Sequence, residues 1–128
     1  MGHQKAACEI LTSIFSTEDL MESVAGRICR SWIARNDIII ALLGGFLPRL
    51  SHDWFTCAVS YYEKRQSQEP GELKWKVAER TTSLYVISYE MSVIYSQSVN
   101  DEISDSDYNR EHKTIVDQLL EWKQAWDH

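Results

Sequence analysis

Apolar residues recur at steps of three and four along most of this chain, the spacing that places side chains on one face of an α-helix. The pattern contains no strand-like alternation of apolar and polar residues and no internal repeat. It predicts an all-α fold, a compact bundle of about five helices with a long central helix. The length of 128 residues suits a single domain with one core, which we place at 1–128.

The first part of the chain predicts two helices, one from about Gln4 to Phe15 and one from about Glu18 to Leu43. The residues expected to face the core are Ala7, Ile10, Leu11 and Ile14 in the first, and Leu20, Met21, Val24, Ala25, Ile28, Trp32, Ile39 and Leu43 in the second. The second helix is long for so small a domain, which favours a kink or a short break at Asn36. Gly44-Gly45 permits the left-handed conformation that ends many helices.

Three further helices follow in the pattern. Ser51 is the predicted N-cap of the third helix, and Pro70-Gly71 predicts a turn after it. The fourth helix, from about Leu73 to Val99, carries two adjacent apolar seams and is therefore expected at the centre of the bundle. Ser104 and Asp107 resemble a capping box that begins the last helix. The predicted buried positions of the third helix are Trp54, Phe55, Ala58, Tyr61 and Tyr62, and those of the last are Tyr108, His112, Ile115, Leu119, Trp122 and Trp126.

Charge and cysteine usage narrow the functional class. A net charge of −6 argues against direct nucleic-acid binding, which needs a basic face. Cys8, Cys29 and Cys57 lie far apart in sequence, so we expect reduced, mostly buried thiols in an intracellular protein, with a disulfide as the less favoured alternative. The most apolar run, Ile38 to Leu47, is about half the length needed to cross a bilayer, which predicts a core helix and no membrane span.

Few residues suggest chemistry. Arg35 and Asp37 lie beside a long apolar run that follows them. They predict either a recognition or switch point, or a structural ion pair or polar break, and we favour the structural interpretation. His52-Asp53 suggests an acid–base dyad but suits a solvated first helical turn better, because sequence neighbours on a helix do not face each other. His112 is expected to be a partly buried histidine rather than a metal ligand. We predict no catalytic, cofactor-binding or metal site, no cofactor and no enzymatic activity.

Aromatic residues leave two alternatives open. Tyr61-Tyr62 and the tryptophans suit either a small-molecule pocket or, more often, a packed core. Trp122 and Trp126 lie in the last turns of the final helix. They are expected to pack either on the domain or on sequence outside this chain.

Three stretches resemble the fungal-specific regulatory domain of fungal zinc-cluster transcription factors. The stretches are Arg35 to Gly45 with Ser51-His52-Asp53-Trp54-Phe55, then Trp75-Lys76 through Glu79, and finally Glu102-Ile103-Ser104 through Glu111 with Glu121-Trp122-Lys123 and Trp126-Asp127. Together they touch most of the chain from Ser31 onward. The resemblance lies in the pattern and not in a catalytic signature.

This resemblance implies a non-catalytic, all-helical regulatory domain in the nucleus, a fragment or truncated homologue that regulates transcription through protein or effector contacts. The chain lacks the six-cysteine cluster that binds DNA in that family. The expected partners are another protein or a second copy, with a small-molecule effector as a further option, and neither nucleic acid nor membrane. A general helical interaction or dimerisation module unrelated to transcription is the alternative. A small enzyme using His52, His112 or a carboxylate ranks last.

Overall fold

The computed structural model describes Ala6, Ile10 and residues 21–127. This part of the chain forms four helices: α1 (Val24–Gly44), α2 (His52–Gln68), α3 (Leu73–Val99) and α4 (Asp105–Asp127). The all-α prediction is confirmed, whereas the expected number of about five is one more than the described residues contain. The predicted helix from Gln4 to Phe15 lies outside them, apart from Ala6 and Ile10, which are both helical.

Helix α3 is the centre of the fold, as its two seams predict, because it packs against α1, α2 and α4. Helix α1 runs parallel to it. Near the start of both helices the Arg27 guanidinium lies 5.5 Å from the Trp75 ring. Near their ends, the side-chain amide of Asn100 donates a hydrogen bond to the carbonyl of Gly45 at 3.4 Å. Helix α2 precedes α3 and α4 follows it, each across a short turn, and both run antiparallel to α3.

The main core forms where α1, α2 and α3 meet. Its buried members are Ile33, Ala34, Ile38, Leu50, Trp54 and Phe55, and Tyr85, Val86 and Tyr89 pack on them from α3. The Phe55 and Tyr89 rings lie 5.0 Å apart between centroids. The predicted buried face of α2 is confirmed at Trp54, Phe55 and Ala58, whereas Tyr61 and Tyr62 are only half-buried.

The core-facing side of α1 differs from the prediction. The residues that α1 buries are Arg30, Ile33, Ala34, Asp37, Ile38 and Ala41. The predicted apolar face is instead exposed at Val24, Ile28, Trp32, Ile39 and Leu43, although Met21, just before the helix, is buried. The prediction failed because α1 is apolar on two sides, and the buried side includes two charged residues whose partners lie elsewhere in the chain.

The predicted break at Asn36 is also absent, because α1 is one continuous helix from Val24 to Gly44. The Asn36 side-chain amide donates to the carbonyl of Trp32 at 2.7 Å, so it bonds within the helix instead of interrupting it. No helix of residues 21–127 is long and apolar enough to cross a membrane.

The predicted end signals are confirmed at Gly45 and Ser104, but the second predicted helix begins at Val24, with Ser23 as its N-cap, and not at about Glu18. Gly45 adopts a left-handed conformation with φ 67°, and its N–H donates to the carbonyl of Ala41. The N–H of Phe46 also donates to that carbonyl, at 3.1 Å, which completes a Schellman-type end. The Ser104 hydroxyl accepts from the N–H of Asp107 at 3.2 Å, as the capping box predicts. Ser51 precedes α2 as predicted, but its hydroxyl makes no capping bond.

Gly45→Ala should destabilise the protein by about 1–2 kcal/mol, because an L-residue is strained in the left-handed region. The added Cβ would also lie 3.0 Å from a methyl carbon of Val99. Gly71→Ala is the matched control, since a Cβ there meets nothing within 4 Å. Urea unfolding of both variants checks the prediction. Equal stability of the two variants would contradict it.

Helix α4 attaches to α3 through few buried residues. Ile115 is its buried apolar side chain among the described residues. The Trp122 indole N–H donates to the carbonyl of Arg80 at 2.7 Å, and the Trp126 ring stacks on Trp122 at 6.3 Å. Trp122 therefore packs on the domain, whereas Trp126 stays 42% exposed. His112 is exposed and stacks on Tyr108, so its predicted partial burial is wrong.

Candidate functional site

Asp37 is one of the two buried charged residues of α1. It is 3% exposed. Its Oδ1 and Oδ2 accept from the N–H of Arg49 at 3.1 and 3.0 Å, and Oδ2 also accepts from the N–H of Leu50 at 3.1 Å. Burial raises the pKa of the Asp37 carboxyl above its ordinary 3.8, and these two backbone donors oppose the rise. The residue therefore fastens the connection between α1 and α2 to the middle of α1.

Arg35 and Asp37 do not form the ion pair that was one of the structural alternatives. Asp37 is bonded to backbone amides twelve and thirteen residues later, while the Arg35 side chain is exposed on the other side of the helix surface. The structural interpretation of Asp37 fits this geometry. The negative charge of Asp37 is therefore stabilised by backbone N–H donors that are close in space but distant in sequence, and not by the positive charge of Arg35.

The remaining candidates for chemistry are scattered. His52 and Asp53 are exposed in the first turn of α2, and the Nε2 atom of His52 lies 3.8 Å from Oε1 of Glu90 on α3. His112 lies on α4, against Tyr108. Within residues 21–127 no group of three or more His, Cys, Asp or Glu side chains is placed to hold a metal ion.

The two described cysteines are both free thiols. Cys57 is half-buried, but Cys29 is exposed, so the expectation of mostly buried cysteines is wrong at that position. Cys8 lies outside the described residues.

An apolar surface runs along the solvent side of α1. We call it the outer face and define it by Val24, Ile28, Trp32, Ile39 and Leu43. Val24 and Ile28 are each 64% exposed, Trp32 is 52% exposed and Leu43 is 83% exposed. From Val24 to Leu43 the face extends for about 28 Å, at the rise per residue of an α-helix. Beyond the helix end, Phe46 and Leu47 are exposed as well.

Between the outer face and the start of α3 lies a groove of about 540 Å³. Its apolar wall is formed by Val24, Ile28 and Trp32, and Trp75 lines it from α3. Its charged lining residues among those described are all basic: Arg27, Arg35 and Lys74. The groove thus combines an apolar wall with a positive rim, although the whole chain carries a net charge of −6.

A second, smaller cavity of about 190 Å³ lies beneath this groove, between α1, α2 and α3. Both spaces are lined by Arg27, Ser31, Tyr62 and Ala78, so the two adjoin. Arg30 also lines the cavity and is 3% exposed. Its guanidinium lies 4.5 Å from the ring centroid of Trp54.

Tyr62 lines the cavity together with Arg27 and Arg30. Burial raises the pKa of the Tyr62 hydroxyl above its ordinary 10.0, and the positive charges of Arg27 and Arg30 act to lower it. Both guanidinium groups therefore act on the same hydroxyl at the cavity wall. Arg27 is held there by hydrogen bonds from Nη1 to the Met21 carbonyl at 2.9 Å and to the Tyr61 hydroxyl at 3.4 Å.

Sequence reasoning named Tyr61-Tyr62 as part of an alternative small-molecule pocket but overlooked Arg30. A signal was present, since Arg30, Ile33-Ala34, Asp37-Ile38 and Ala41 repeat at steps of three and four. Because that series contains two charged residues, its spacing predicts a buried face less strongly than the more uniformly apolar opposite side of α1 does.

Comparisons with protein-family models, with curated proteins and with solved structures find no match to this chain.

Proposed function

We propose that this chain is a non-catalytic regulatory domain, related to that of fungal zinc-cluster transcription factors, which acts in the nucleus by binding another protein. The observation that carries the proposal is the exposed outer face of α1. A soluble protein rarely leaves so extended an apolar stripe in water unless the stripe serves an interaction. The buried side of α1 contains both apolar residues and the charged residues Arg30 and Asp37, whereas the exposed side is largely apolar apart from Arg35.

The groove beside the outer face specifies the chemistry of the partner. Its apolar wall fits the apolar face of a helix laid into it, a common mode of peptide recognition. Its rim residues Arg27, Arg35 and Lys74 favour negative charge on the edges of that helix. We therefore assign the groove to an amphipathic partner helix that carries acidic residues beside its apolar ones.

Trp32 is the expected energetic centre of this interface. It lines the groove and lies near the middle of the outer face. Exposed tryptophans at the centre of a contact surface contribute a large share of binding energy. Since Trp32 is 52% exposed, its replacement removes little from the core.

A tethered reporter assay tests the regulatory role. The chain is fused to a heterologous DNA-binding module in a fungal cell, and expression from a reporter carrying the matching sites is measured. Wild type should change expression, and Trp32→Glu should abolish the change while circular dichroism shows an intact helical fold. Trp126→Glu, at an exposed tryptophan on α4, is the matched control and should behave as wild type.

Two results would overturn this proposal. One is a wild-type fusion with no effect on the reporter. The other is a Trp32→Glu fusion as active as wild type, because the outer face would then have no part in the effect.

The partner chemistry has its own test. Fluorescence anisotropy compares a synthetic amphipathic helix with acidic flanks against the same peptide with those acids replaced by lysine. The acidic peptide should bind the wild-type chain more tightly, with an affinity that falls as salt is added. Equal binding of both peptides would refute the assignment of an acidic partner. Concentration-dependent dimerisation of wild type that Trp32→Glu abolishes would assign the face to a second copy instead.

A further inference from the structure

We infer that this chain forms a domain-swapped dimer, in which α4 of each copy leaves its own α3 and packs on the α3 of the second copy. The surface involved is the side of α3 that α4 covers, and the connection at residues 100–104 is the hinge. The outer face lies on α1 and takes no part in this exchange. The inference therefore goes beyond the proposed protein contact and does not depend on it.

The hinge lacks the residues that specify the other two connections. Gly44-Gly45 and Pro48 end α1 and follow it, and Pro70-Gly71 separates α2 from α3. From Glu72 to the end of the sequence there is neither glycine nor proline. Because no residue in this stretch excludes a helical backbone, α3 and α4 can also join into one continuous helix about 80 Å long.

The closed hinge is strained at Asp101. Among the described residues, Asp101 alone of the non-glycines has a positive φ, at 55°. Its N–H donates to the carbonyl of Ser98 at 3.3 Å, and the N–H of Glu102 donates to that of Gln97 at 2.8 Å, the two bonds of a Schellman end. Glycine is usual at the left-handed position, because a Cβ there meets the backbone. A continuous helix keeps both N–H groups bonded, four residues back, and relieves the strain.

Helix α4 can leave α3 without opening the main core. That core is built from α1, α2 and α3. Among the described residues of α4, Ile115 is the buried apolar side chain, and the Trp122 indole N–H bonds to the carbonyl of Arg80. Residues of α3 and α4 also line two spaces of about 380 and 440 Å³, so the two helices pack incompletely. An element with so few buried contacts opens at a lower free energy than the core does.

A second copy fits the vacated side of α3 because its α4 offers the same contacts. Since α4 runs antiparallel to α3 within one chain, two straightened chains meet as antiparallel helices about a two-fold axis near the hinge. The α4 of each copy then lies on the α3 of the other, and the Ile115 and Trp122 contacts form again between copies. Exchange of an identical element needs no new complementary surface. An unrelated helix would have to match that surface anew.

Two substitutions at the exposed hinge residue Asp101 should shift the dimer in opposite directions. Asp101→Gly relieves the closed hinge and weakens a continuous helix, so it should dimerise at least about tenfold more weakly than wild type. Asp101→Ala strains the closed hinge and favours the helix, so it should dimerise at least about tenfold more tightly. Each change counts twice, because a dimer contains two hinges. Sedimentation velocity of the full chain, after incubation to constant composition at up to about 1 mM, measures the dimer.

Asp117→Ala is the matched control, since it makes the same change on an exposed part of α4. It should dimerise as wild type does. Two results would overturn the inference. One is a monomer for both wild type and Asp101→Ala at about 1 mM. The other is equal dimerisation of Asp101→Gly and Asp101→Ala.

Hydrogen exchange separates a swapped dimer from an ordinary one. In dimer isolated by size exclusion, a peptide covering residues 100–107 should exchange more slowly than in the monomer, because its N–H groups have entered a helix. Unchanged exchange in that peptide would overturn the inference.

Failure of this inference and failure of the proposed protein contact are distinguishable. Trp32→Glu should dimerise as wild type does, because Trp32 lies on the outer face. Loss of the reporter effect with an intact dimer concerns the outer face alone. A dimer that Trp32→Glu abolishes would place the contact between copies on the outer face and overturn the exchange of α4.

Discussion

Replacing Asp37 by alanine should destabilise the protein by about 3 kcal/mol. The carboxylate accepts from the N–H groups of Arg49 and Leu50 at 3.0–3.1 Å. Alanine leaves both donors without this acceptor, and Leu50 is 3% exposed, so water cannot easily replace it. The same change loosens the connection that places Leu50 in the core beside Trp54 and Phe55. Urea unfolding followed by circular dichroism measures the loss.

Asp117→Ala is the matched control for this prediction. Asp117 is an exposed acid that pairs with Lys113 one helical turn away, at 2.9 Å. Exposed pairs of this kind contribute little, so the control should lose no more than about 0.5 kcal/mol. If Asp37→Ala lost as little as the control, the carboxylate would not be fastening the connection.

The pH dependence of the Asp37 contribution follows from its burial. Because the folded-state pKa lies above the ordinary 3.8, the folded chain binds a proton at this carboxyl more readily than the unfolded chain does. The stabilisation of the folded state by protonation of Asp37 is therefore fully present below the ordinary pKa of 3.8. It is lost as the pH rises through the folded-state pKa. The stability difference between wild type and Asp37→Asn should thus be larger at about pH 3.5 than at pH 7. A difference that shrinks on acidification would contradict the raised pKa.

Much of the helical framework was predictable because its signals are local. The bounds expected for α3, Leu73 to Val99, agree with the structure, since a turn precedes the helix and a polar connection follows it. Gly45 ends α1 because only a short stretch of backbone decides that conformation. The role of Ser104 follows from Asp107 three residues away. Each of these features depends on neighbours within one or two helical turns.

What remained hidden depends on residues distant in sequence. The acceptor role of Asp37 requires Arg49 and Leu50, which reach it only once the chain has turned back after Gly45. The guanidinium of the buried Arg30 lies over the ring of Trp54 on another helix. Hydrophobic spacing alone treats such charges as solvent-facing, and so it assigned α1 the opposite orientation about its axis.

Two adjacent residues of α1 provide the sharpest test of its orientation. Ile33 is 3% exposed and belongs to the core, whereas Trp32 is 52% exposed on the outer face. Ile33→Ala should destabilise the chain by about 3–4 kcal/mol, because it removes buried carbon atoms and leaves a cavity. Trp32→Ala should cost less than about 1 kcal/mol, although it deletes the larger side chain.

Chemical denaturation of the two variants under the same conditions decides between the orientations of α1. If Trp32→Ala proved the more damaging of the two, the outer face would be core and the groove beside it would not exist. The expected order, with the smaller residue more costly to truncate, has no explanation in residue size or hydrophobicity. It follows only if Ile33 packs against Trp54 and Phe55 while Trp32 is left in contact with solvent.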